Sequence, residues 1–405
     1  MITPDFTRHL VHQLCQSLPK IDSVFHVILG PRQVGKTTAA NQVVAQLGWP
    51  SVVVSADSPV PLDATWIEAQ WQFALAKSQT ATTPVLLVLD EIQKIKGWSE
   101  VLKHLWDSQR HARQRIRLIV LGSSALLVQK GSTESLAGRF VLHRLMHWSY
   151  SECRDAFGWT VPQWLYYGGY PGAVPFISLN TPNTTPDLQW KRYIQDSLIE
   201  TVISRDILQL AVIAKPTLMR HLFMLAASHP SHILSYTKMI GRLQDAGNTT
   251  TLSHYLRILE SAFLISGLEQ FSRGKVRQRG SSPKLIVWNN ALVSALSPYS
   301  MASAQQDLTW WGWLVENAVG AHLLIHLDAL EFQISYWRKG NYEVDFVVAS
   351  GDRIWAIEVK SGRARSVQGL AKFKQEYPTA TPLIIGLGSI PLDEFLSAPP
   401  HRWLL

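Results

Sequence analysis

A glycine-rich loop after the first apolar segment constrains this chain more than any other feature. Residues 30–38 read Gly-Pro-Arg-Gln-Val-Gly-Lys-Thr-Thr and match the Walker A pattern G-x-x-x-x-G-K-[ST]. The glycines allow the loop to wrap around a phosphate with its backbone N–H groups turned inward, and the following helix directs the positive end of its dipole at the same point. The loop therefore predicts a strand over residues 24–29, a helix from residue 37 and a phosphate-binding turn between them.

The same loop predicts that the chain binds ATP, with Mg²⁺ as its cofactor. Lys36 places a positive charge near the β- and γ-phosphates, and the Thr37 hydroxyl can coordinate Mg²⁺. Lys36 is thus a candidate both for binding and for catalysis. The candidate nucleotide-binding residues are Gly30, Pro31, Arg32, Gln33, Val34, Gly35, Lys36, Thr37 and Thr38.

Polar residues after two later strands complete the predicted ATP site. The strand 84–90 ends in Asp90-Glu91, and a carboxylate at the carboxyl end of a buried parallel strand lies beside the P-loop. We expect Asp90 to hold Mg²⁺ and Glu91 to polarise the attacking water. Ser123 follows the strand 116–122, and its hydroxyl is expected near the γ-phosphate. A serine-hydrolase elbow is excluded, because Ala125 and Leu126 stand where that motif needs glycine.

Strands and helices alternate only in the first third of the chain. Strands at 24–29, 51–55, 84–90, 116–122 and 140–145 are separated by amphipathic segments at 37–47, 66–77 and 98–111, which predicts an α/β fold with a parallel sheet covered by helices. Segments of helical character follow to about residue 230, and a helix–turn–helix pattern occupies 235–268. Strands return at 333–337, 344–349 and 354–359.

Composition narrows the class of protein. With 405 residues, 46% of them hydrophobic and 17% charged, the chain predicts a folded protein of two to four domains. Its two cysteines exclude a disulfide framework and a cysteine-only zinc site, and they fit a reducing cytoplasm. No secretory signal or membrane-spanning apolar run is evident. The net charge of +8 favours a polyanionic partner such as nucleic acid.

Several short motifs follow the P-loop in a characteristic order. They are Asp90-Glu91-Ile92-Gln93, Trp98, Leu102-Lys103, Asp107, Gly122-Ser123-Ser124, Ser135-Leu136-Ala137-Gly138-Arg139, Ser149-Tyr150-Ser151-Glu152 and Tyr167-Gly168-Gly169-Tyr170-Pro171. Together they resemble the large prokaryotic and archaeal family of AAA+-like ATP-binding proteins with a C-terminal restriction-endonuclease-like domain. The likeness extends over residues 20–390, and one departure is Asn289, where the family usually has Asp.

The resemblance implies four domains. They are a P-loop ATPase domain of AAA+ type (1–148), a helical lid (149–230), a winged helix (231–300) and an α/β restriction-endonuclease-like domain of the PD-(D/E)xK type (301–405). It also makes Arg139 a candidate for sensing the γ-phosphate, and Arg205 another that would act across a subunit boundary in a homo-oligomer. The alternative is that either arginine simply pairs with a surface carboxylate.

A basic loop follows the helix–turn–helix pattern. Predicted helices at 235–244 and 249–260 and a strand at 263–268 lead into Arg273, Lys275, Arg277 and Arg279. A wing of this composition can lie along a DNA backbone while the second helix enters the major groove. The alternative is a winged helix that packs on its own protein, with its charges in solvent.

Two adjacent strands near the C-terminus carry a candidate metal site. Glu358 and Lys360 share one face of their strand, and Asp345 lies on the preceding strand. Burial of these charges is costly unless they pair or bind a metal, so we expect Asp345 and Glu358 to hold Mg²⁺ and Lys360 to orient an attacking water. Glu316 is a further carboxylate candidate. The alternative is a retained but inactive fold that serves for binding or assembly.

Three functions remain open at this stage. No guanine-reading Asn-Lys-x-Asp motif is present, so we expect an ATPase whose hydrolysis drives a conformational change, coupled to a DNA-binding C-terminal half. The second is an ATP-gated, Mg²⁺-dependent nuclease. The third is a nucleotide-switched interaction protein without a nucleic-acid partner.

Overall fold

The computed structural model describes residues 6–112, 115–122, 136–177, 187–207, 213–243, 247–273, 282–362, 368–387 and 389–404. The chain forms two compact units, one mainly from Thr3–Met146 and the other mainly from His147–Leu208 and Val212–Leu405. Among the described residues, no helix is long and apolar enough to cross a membrane.

The N-terminal unit is a parallel sheet with helices between its strands. The strands are β1 (Phe25–Leu29), β2 (Ser51–Ser55), β3 (Val85–Asp90), β4 (Ile116–Gly122) and β5 (Phe140–Arg144). The helices are α1 (His9–Ser17), α2 (Lys36–Leu47), α3 (Ala64–Thr80) and α4 (Trp98–Ala112). The strand order is β2-β3-β4-β1-β5, and every pairing is parallel. The predicted α/β class and all five strands of this unit are confirmed.

Largely apolar sequences explain why β1 and β3 lie inside the sheet, with His26 and Asp90 as their polar residues. Every residue of both strands is buried, as expected for parallel strands covered on both faces. The connection after β1 leads to β2 at one edge of the sheet, and the connection after β4 leads to β5 at the other, so the order of the strands reverses between these two neighbours. Ligands of open α/β sheets bind at the carboxyl ends of the strands beside such a reversal. The P-loop and Asp90 both lie at this edge.

Helices make up most of the first part of the second unit. They are α5 (Tyr150–Phe157), α6 (Val161–Tyr167), α7 (Leu188–Arg192), α8 (Pro216–Ser228), α9 (Tyr236–Arg242) and α10 (Thr249–Ser261), with π-helical turns at Tyr193–Glu200 and Val202–Asp206. Serine or asparagine side chains cap three of them: Ser149 accepts from Glu152 N–H, Ser235 from Lys238 N–H and Asn248 from Thr251 N–H. The predicted helix pair at 235–244 and 249–260 is confirmed as α9 and α10.

A small antiparallel sheet accompanies this helix pair. β6 (Ile265–Leu268) pairs with β7 (Lys284–Val287), and Ile233 forms a bridge with Lys284 on the other side of β7. In chain order the elements are thus a helix, a short extended segment, two helices and two strands. The segment between β6 and β7 holds the basic loop.

The Gly-Gly turn after α6 is fastened to the start of a later helix. Asn289 caps α11 (Asn290–Leu296), and its side-chain oxygen accepts from both Ala291 N–H and Gly169 N–H at 3.1 Å. A Cβ on Gly168 would lie 2.0 Å from that oxygen, so only glycine fits there. The amide nitrogen of Asn289 also contacts His147 Nδ1 at 3.2 Å, where an aspartate would have no N–H to donate.

A mixed sheet with flanking helices completes the second unit. The strands are β8 (Gln333–Lys339), β9 (Tyr342–Ser350), β10 (Arg353–Lys360) and β11 (Thr381–Gly386), and the helices are α12 (Met301–Gln306), α13 (Leu308–His326), α14 (Gln368–Glu376) and α15 (Leu392–Ser397). The order is β11-β10-β9-β8, with β9 antiparallel to both neighbours and β11 parallel to β10. The three strands predicted here are confirmed, whereas β11 was not predicted.

Asn317 of α13 fixes this helix against β7. Its fully buried amide accepts from Val287 N–H at 2.9 Å and donates to Val287 C=O at 2.8 Å, as a third strand would. These bonds satisfy backbone groups that would otherwise be buried without partners. They hold Lys284, three residues earlier in β7, beside Glu316 of α13.

Candidate functional site

The P-loop closes only because glycine occupies its first position. A Cβ on Gly30 would lie 2.0 Å from the carbonyl oxygen of Leu145, which follows β5 on the neighbouring strand. Gln33 and Gly35 have φ angles of +58° and +92°, so the loop turns through left-handed backbone conformations before α2 begins. This shape directs the first turn of α2 at the carboxyl end of β1.

Three predicted site residues meet at this edge of the sheet. The Thr37 hydroxyl donates to Asp90 Oδ2 at 2.7 Å, although 53 residues separate them in the chain. The buried Lys36 ammonium donates to Gly30 C=O at 3.0 Å and to Pro31 C=O at 2.6 Å. A hydroxyl beside a carboxylate is the oxygen donor set that Mg²⁺ prefers, so the residues fit this ion. Their roles stay predictions.

Glu91, the residue after Asp90, has a left-handed backbone conformation. It has a φ of +55°, and its Oε2 accepts from the buried Gln93 side chain at 2.8 Å. Burial raises the pKa of the Glu91 carboxyl, and Asp90 raises it further, against the opposite effect of Lys36 and other cations. A carboxyl with a raised pKa is a better proton acceptor when ionised. Sequence reasoning quoted Gln93 in a motif but did not assign it this positioning contact.

Arg8 is a site residue that sequence reasoning missed. Its guanidinium is buried and donates to Val34 C=O at 3.2 Å and to Met146 C=O at 3.0 Å. It therefore ties the chain before α1 to the P-loop and to the end of β5. An isolated arginine near the N-terminus carries no local pattern that could have revealed this contact.

Arg139 forms an ion pair with Asp107 at the amino end of the sheet. It precedes β5 at the amino end of the sheet, where Phe25 N–H donates to its carbonyl oxygen at 2.9 Å. The P-loop lies at the other end of β1, roughly 16 Å away for a five-residue strand. Two bonds of 2.8 Å join its guanidinium to Asp107. The structure thus shows the ion pair of the alternative interpretation, and the role of Arg139 in sensing the γ-phosphate stays a prediction. Ser123 and the side chain of Arg205 lie outside the described residues.

The predicted C-terminal residues meet at a second site. A cavity of about 500 Å³ is lined by Glu316, Glu343, Asp345 and Glu358, with His232 and Trp313 among its other walls. Lys360 Nζ lies 2.6 Å from Glu358 Oε1, which agrees with the prediction that they share a strand face. Asp345 Oδ2 accepts from Val359 N–H at 2.8 Å, so the two adjacent strands fix its side chain.

Lys284 is the unexpected member of this site. It follows the basic loop in the sequence, but its side chain is fully buried and its Nζ lies 2.6 Å from Glu316 Oε1. Burial alone would lower the pKa of Lys284, but Glu316, Asp345 and Glu343 raise it, and the net shift is upward. Because its pKa is raised, Lys284 is stable in its charged form. Burial and the neighbouring Asp345 raise the pKa of Glu358, against the effect of Lys360.

Asp345 and Glu358 are the carboxylates of this cavity that would hold a divalent ion. Glu358 Oε2 is buried and has no hydrogen-bond partner among the described residues. In the same part of the chain, no three His, Cys, Asp or Glu side chains are grouped as a metal site. Mg²⁺ does not need three, because it often takes one or two carboxylates together with water and substrate phosphate. The metal role of these two residues stays a prediction.

The segment that enters the basic loop packs on the C-terminal sheet. Phe271 N–H donates to Tyr336 C=O of β8 at 2.6 Å, and the Phe271 ring lies 5.2 Å from that of Tyr377. Arg273 pairs with the exposed Asp352 at 2.8 Å. Residues 271 and 273 therefore pack on the protein itself, as the alternative interpretation of the winged helix expects. Lys275, Arg277 and Arg279 lie outside the described residues.

Comparison with known families identifies three domains. Residues 23–154 match an AAA domain. Residues 158–303 match a domain of unknown function (DUF8612), and residues 311–394 match another (DUF4143). Each match covers less than half of the chain. The first is the expected AAA-type P-loop domain, whereas the other two do not identify a winged helix or a nuclease. No curated protein matches the chain.

Among solved structures, the chain is similar to several ATP-binding or DNA-bound proteins. The Walker-type ATPase paby2304 of Pyrococcus abyssi has 13% identity and a TM-score of 0.42, covering 72% of this chain and 95% of its own. The ORC1 protein of Aeropyrum pernix in complex with DNA has 14% identity and a TM-score of 0.31, and the match covers 73% of this chain and 93% of that protein. DnaA of Aquifex aeolicus bound to AMPPCP has 16% identity and a TM-score of 0.32, and the match covers 62% of this chain and 86% of that protein. TM-scores of this size add no argument about function.

We predict that Gly30→Ala weakens ATP binding by about tenfold or more, because the new methyl group must displace Leu145 or the loop itself. Titration with a fluorescent ATP analogue measures the change. Gly241→Ala is the matched control, since nothing lies within 4 Å of a Cβ there, and it should bind normally. Equal affinity in both variants would contradict this account of the loop.

Proposed function

We propose that this protein is an AAA+-type ATPase that binds ATP with Mg²⁺ and hydrolyses it at the P-loop. The observation that carries the proposal is the 2.7 Å contact between Thr37 and Asp90, with Glu91 next in the chain and held by Gln93. It joins a P-loop hydroxyl to a strand-end carboxylate, as a nucleotide–Mg²⁺ complex requires. The match of residues 23–154 to an AAA domain supports the same assignment.

Each residue has a distinct task in this mechanism. The P-loop backbone and Lys36 bind the phosphates and offset their charge, while Thr37 and Asp90 provide the oxygen ligands for Mg²⁺. When bound, Mg²⁺ stabilises the negative charge that develops on the phosphate oxygens. Glu91 accepts a hydrogen bond from the attacking water and draws off its proton. Gln93 keeps the Glu91 carboxylate turned toward its position beside Asp90.

We predict that Glu91→Gln binds ATP normally but hydrolyses it at least about tenfold more slowly, because the amide keeps the shape and loses the base. Lys36→Ala should lose ATP binding or hydrolysis, because the phosphates lose their cation. Phosphate release at saturating ATP and equilibrium nucleotide binding are the two measurements. Collapse of affinity in Glu91→Gln would make Glu91 structural, and wild-type turnover in Lys36→Ala would end the P-loop assignment.

Coupling to DNA is the second part of the proposal. The chain has a net charge of +8, and α9, α10, β6 and β7 follow one another in the order expected of a winged helix. Lys275, Arg277 and Arg279 would contact the phosphate backbone from the wing, with α10 toward the major groove. Arg273 would contribute less to DNA binding, because its guanidinium already pairs with Asp352.

We predict that DNA stimulates ATP hydrolysis, and that replacing Lys275, Arg277 and Arg279 together by glutamine weakens DNA binding for all sequences. The salt dependence of binding should also flatten, because fewer counterions are released. Fluorescence anisotropy across a salt series is the measurement. Arg273→Gln is the matched control and should cause the smaller change. If DNA neither binds nor stimulates hydrolysis, a nucleotide-switched interaction protein without nucleic acid becomes the better interpretation.

A Mg²⁺-dependent nuclease is the second candidate function. The observation that favours it is the convergence of Asp345 and Glu358 on one cavity, with Lys360 at 2.6 Å from Glu358 and Glu358 Oε2 unpaired among the described residues. Asp345 and Glu358 would hold Mg²⁺, which when bound makes the phosphate more electrophilic. Lys360 would orient the attacking water. ATP bound at the P-loop would then control access to this cavity.

We predict Mg²⁺- or Mn²⁺-dependent cleavage of DNA or RNA by the wild-type chain, and its loss in Asp345→Ala and in Lys360→Ala. The first variant loses a metal ligand, and the second loses the group that orients water. Gel assays of labelled single- and double-stranded substrates make the comparison. Equal cleavage by all three proteins would indicate a contaminant. Absence of cleavage by all three would favour a fold retained for binding.

A further inference from the structure

Lys284 lies inside a cradle of oxygen atoms. Its Nζ is 2.6 Å from Glu316 Oε1, 3.4 Å from Glu343 Oε1 and 3.7 Å from Asp345 Oδ1. It also donates to the main-chain oxygen of Asp345 at 3.1 Å, and the ring of Phe346 lies 5.1 Å away. Four oxygens around one cation, three of them from carboxylates, form the kind of environment that proteins build for divalent metals.

The lysine and the carboxylates come from different parts of the fold. Lys284 begins β7, which pairs with β6, whereas Glu343 and Asp345 lie on β9 of the other sheet and Glu316 lies on α13. Removing an ammonium group fully from water costs several kcal/mol unless its charge is compensated. The bonds from Asn317 to Val287 fix the strand that delivers it. The cradle is therefore built around a cation that the chain itself provides.

The buried cations at the cavity are divided between its carboxylates. Lys284 contacts Glu316, Glu343 and Asp345, whereas Lys360 contacts Glu358 through its Oε1. Arg338 also lines the cavity and is solvent-exposed. Glu358 Oε2 is buried and has no hydrogen-bond partner among the described residues, so it marks the side, away from the Lys284 cradle, where a divalent ion would bind.

We propose that the Lys284 ammonium permanently occupies the place of a second metal ion, so that this cavity binds a single divalent cation at Asp345 and Glu358. The inference rests on the metal site proposed above as the second candidate function. It assigns Lys284 to the cavity as a positioning residue that holds Glu316 and Glu343, rather than to the DNA-binding surface. Any reaction in the cavity therefore proceeds with one metal ion and one fixed organic cation.

The number of Mn²⁺ ions bound by the full-length, nucleotide-free chain tests this directly. Titration followed by electron paramagnetic resonance should count one ion in the wild type and none in Glu358→Gln. Lys284→Met should bind two, because removal of the ammonium leaves the carboxylates of Glu316, Glu343 and Asp345 around an uncompensated space. Lys284→Arg keeps the charge and should still bind one. Lys339→Met removes an exposed lysine of the same sheet and should also bind one.

The possible failures can be told apart. Two ions in the wild type, or one ion in a folded Lys284→Met, would overturn the role of Lys284 and leave the metal site standing. No ion in the wild type would overturn the metal site and this inference together. If Lys284→Met is unstable, its melting temperature is measured with and without Mn²⁺. A larger Mn²⁺-induced increase than in the wild type supports the inference, and an equal or smaller increase overturns it.

Discussion

The contact between Thr37 and Asp90 depends on parallel strand pairing. β1 and β3 do not touch each other, but both pair in parallel with β4, so their carboxyl ends meet at one edge of the sheet. The Thr37 hydroxyl, in the first turn of α2, and the Asp90 carboxylate, at the end of β3, then come within 2.7 Å of each other. The close approach of Gly30 to Leu145 and the buried Arg8 hold the loop in this place. The geometry of the candidate ATP site follows from these constraints.

Buried polar groups play the corresponding part in the second unit. Asn289 and Asn317 satisfy backbone groups of distant segments, and they fasten the Gly-Gly turn and α13 to the elements around them. The ammonium group of Lys284 contacts carboxylates of β9 and α13, and these several partners compensate its buried charge. Burying a polar side chain costs free energy unless its hydrogen bonds are made, so the bonds of these residues favour this packing over alternatives.

Arg139 and Arg8 show that a sequence motif does not determine what a guanidinium touches. Arg139 stands in a motif that the resemblance connects with the γ-phosphate, yet parallel pairing with β1 places it at the amino end of the sheet, beside Asp107. Arg8 stands in no motif, yet it supports the P-loop. In each case the position along the strand, which a motif does not contain, decides what the guanidinium touches.

The sequence by itself determined the local parts of this protein. Periodicity and apolar runs located the five parallel strands and the helix pair, and the P-loop with Asp90-Glu91 predicted a nucleotide site, because these features depend on neighbours a few residues apart. The tertiary structure alone decided which charges share a cavity. Lys284 follows the basic loop in the sequence, but the pairing of β7 with β6 and the bonds between Val287 and Asn317 place its side chain in the interior. Contacts between distant segments are set by packing and charge compensation, and these have no local signature in the chain.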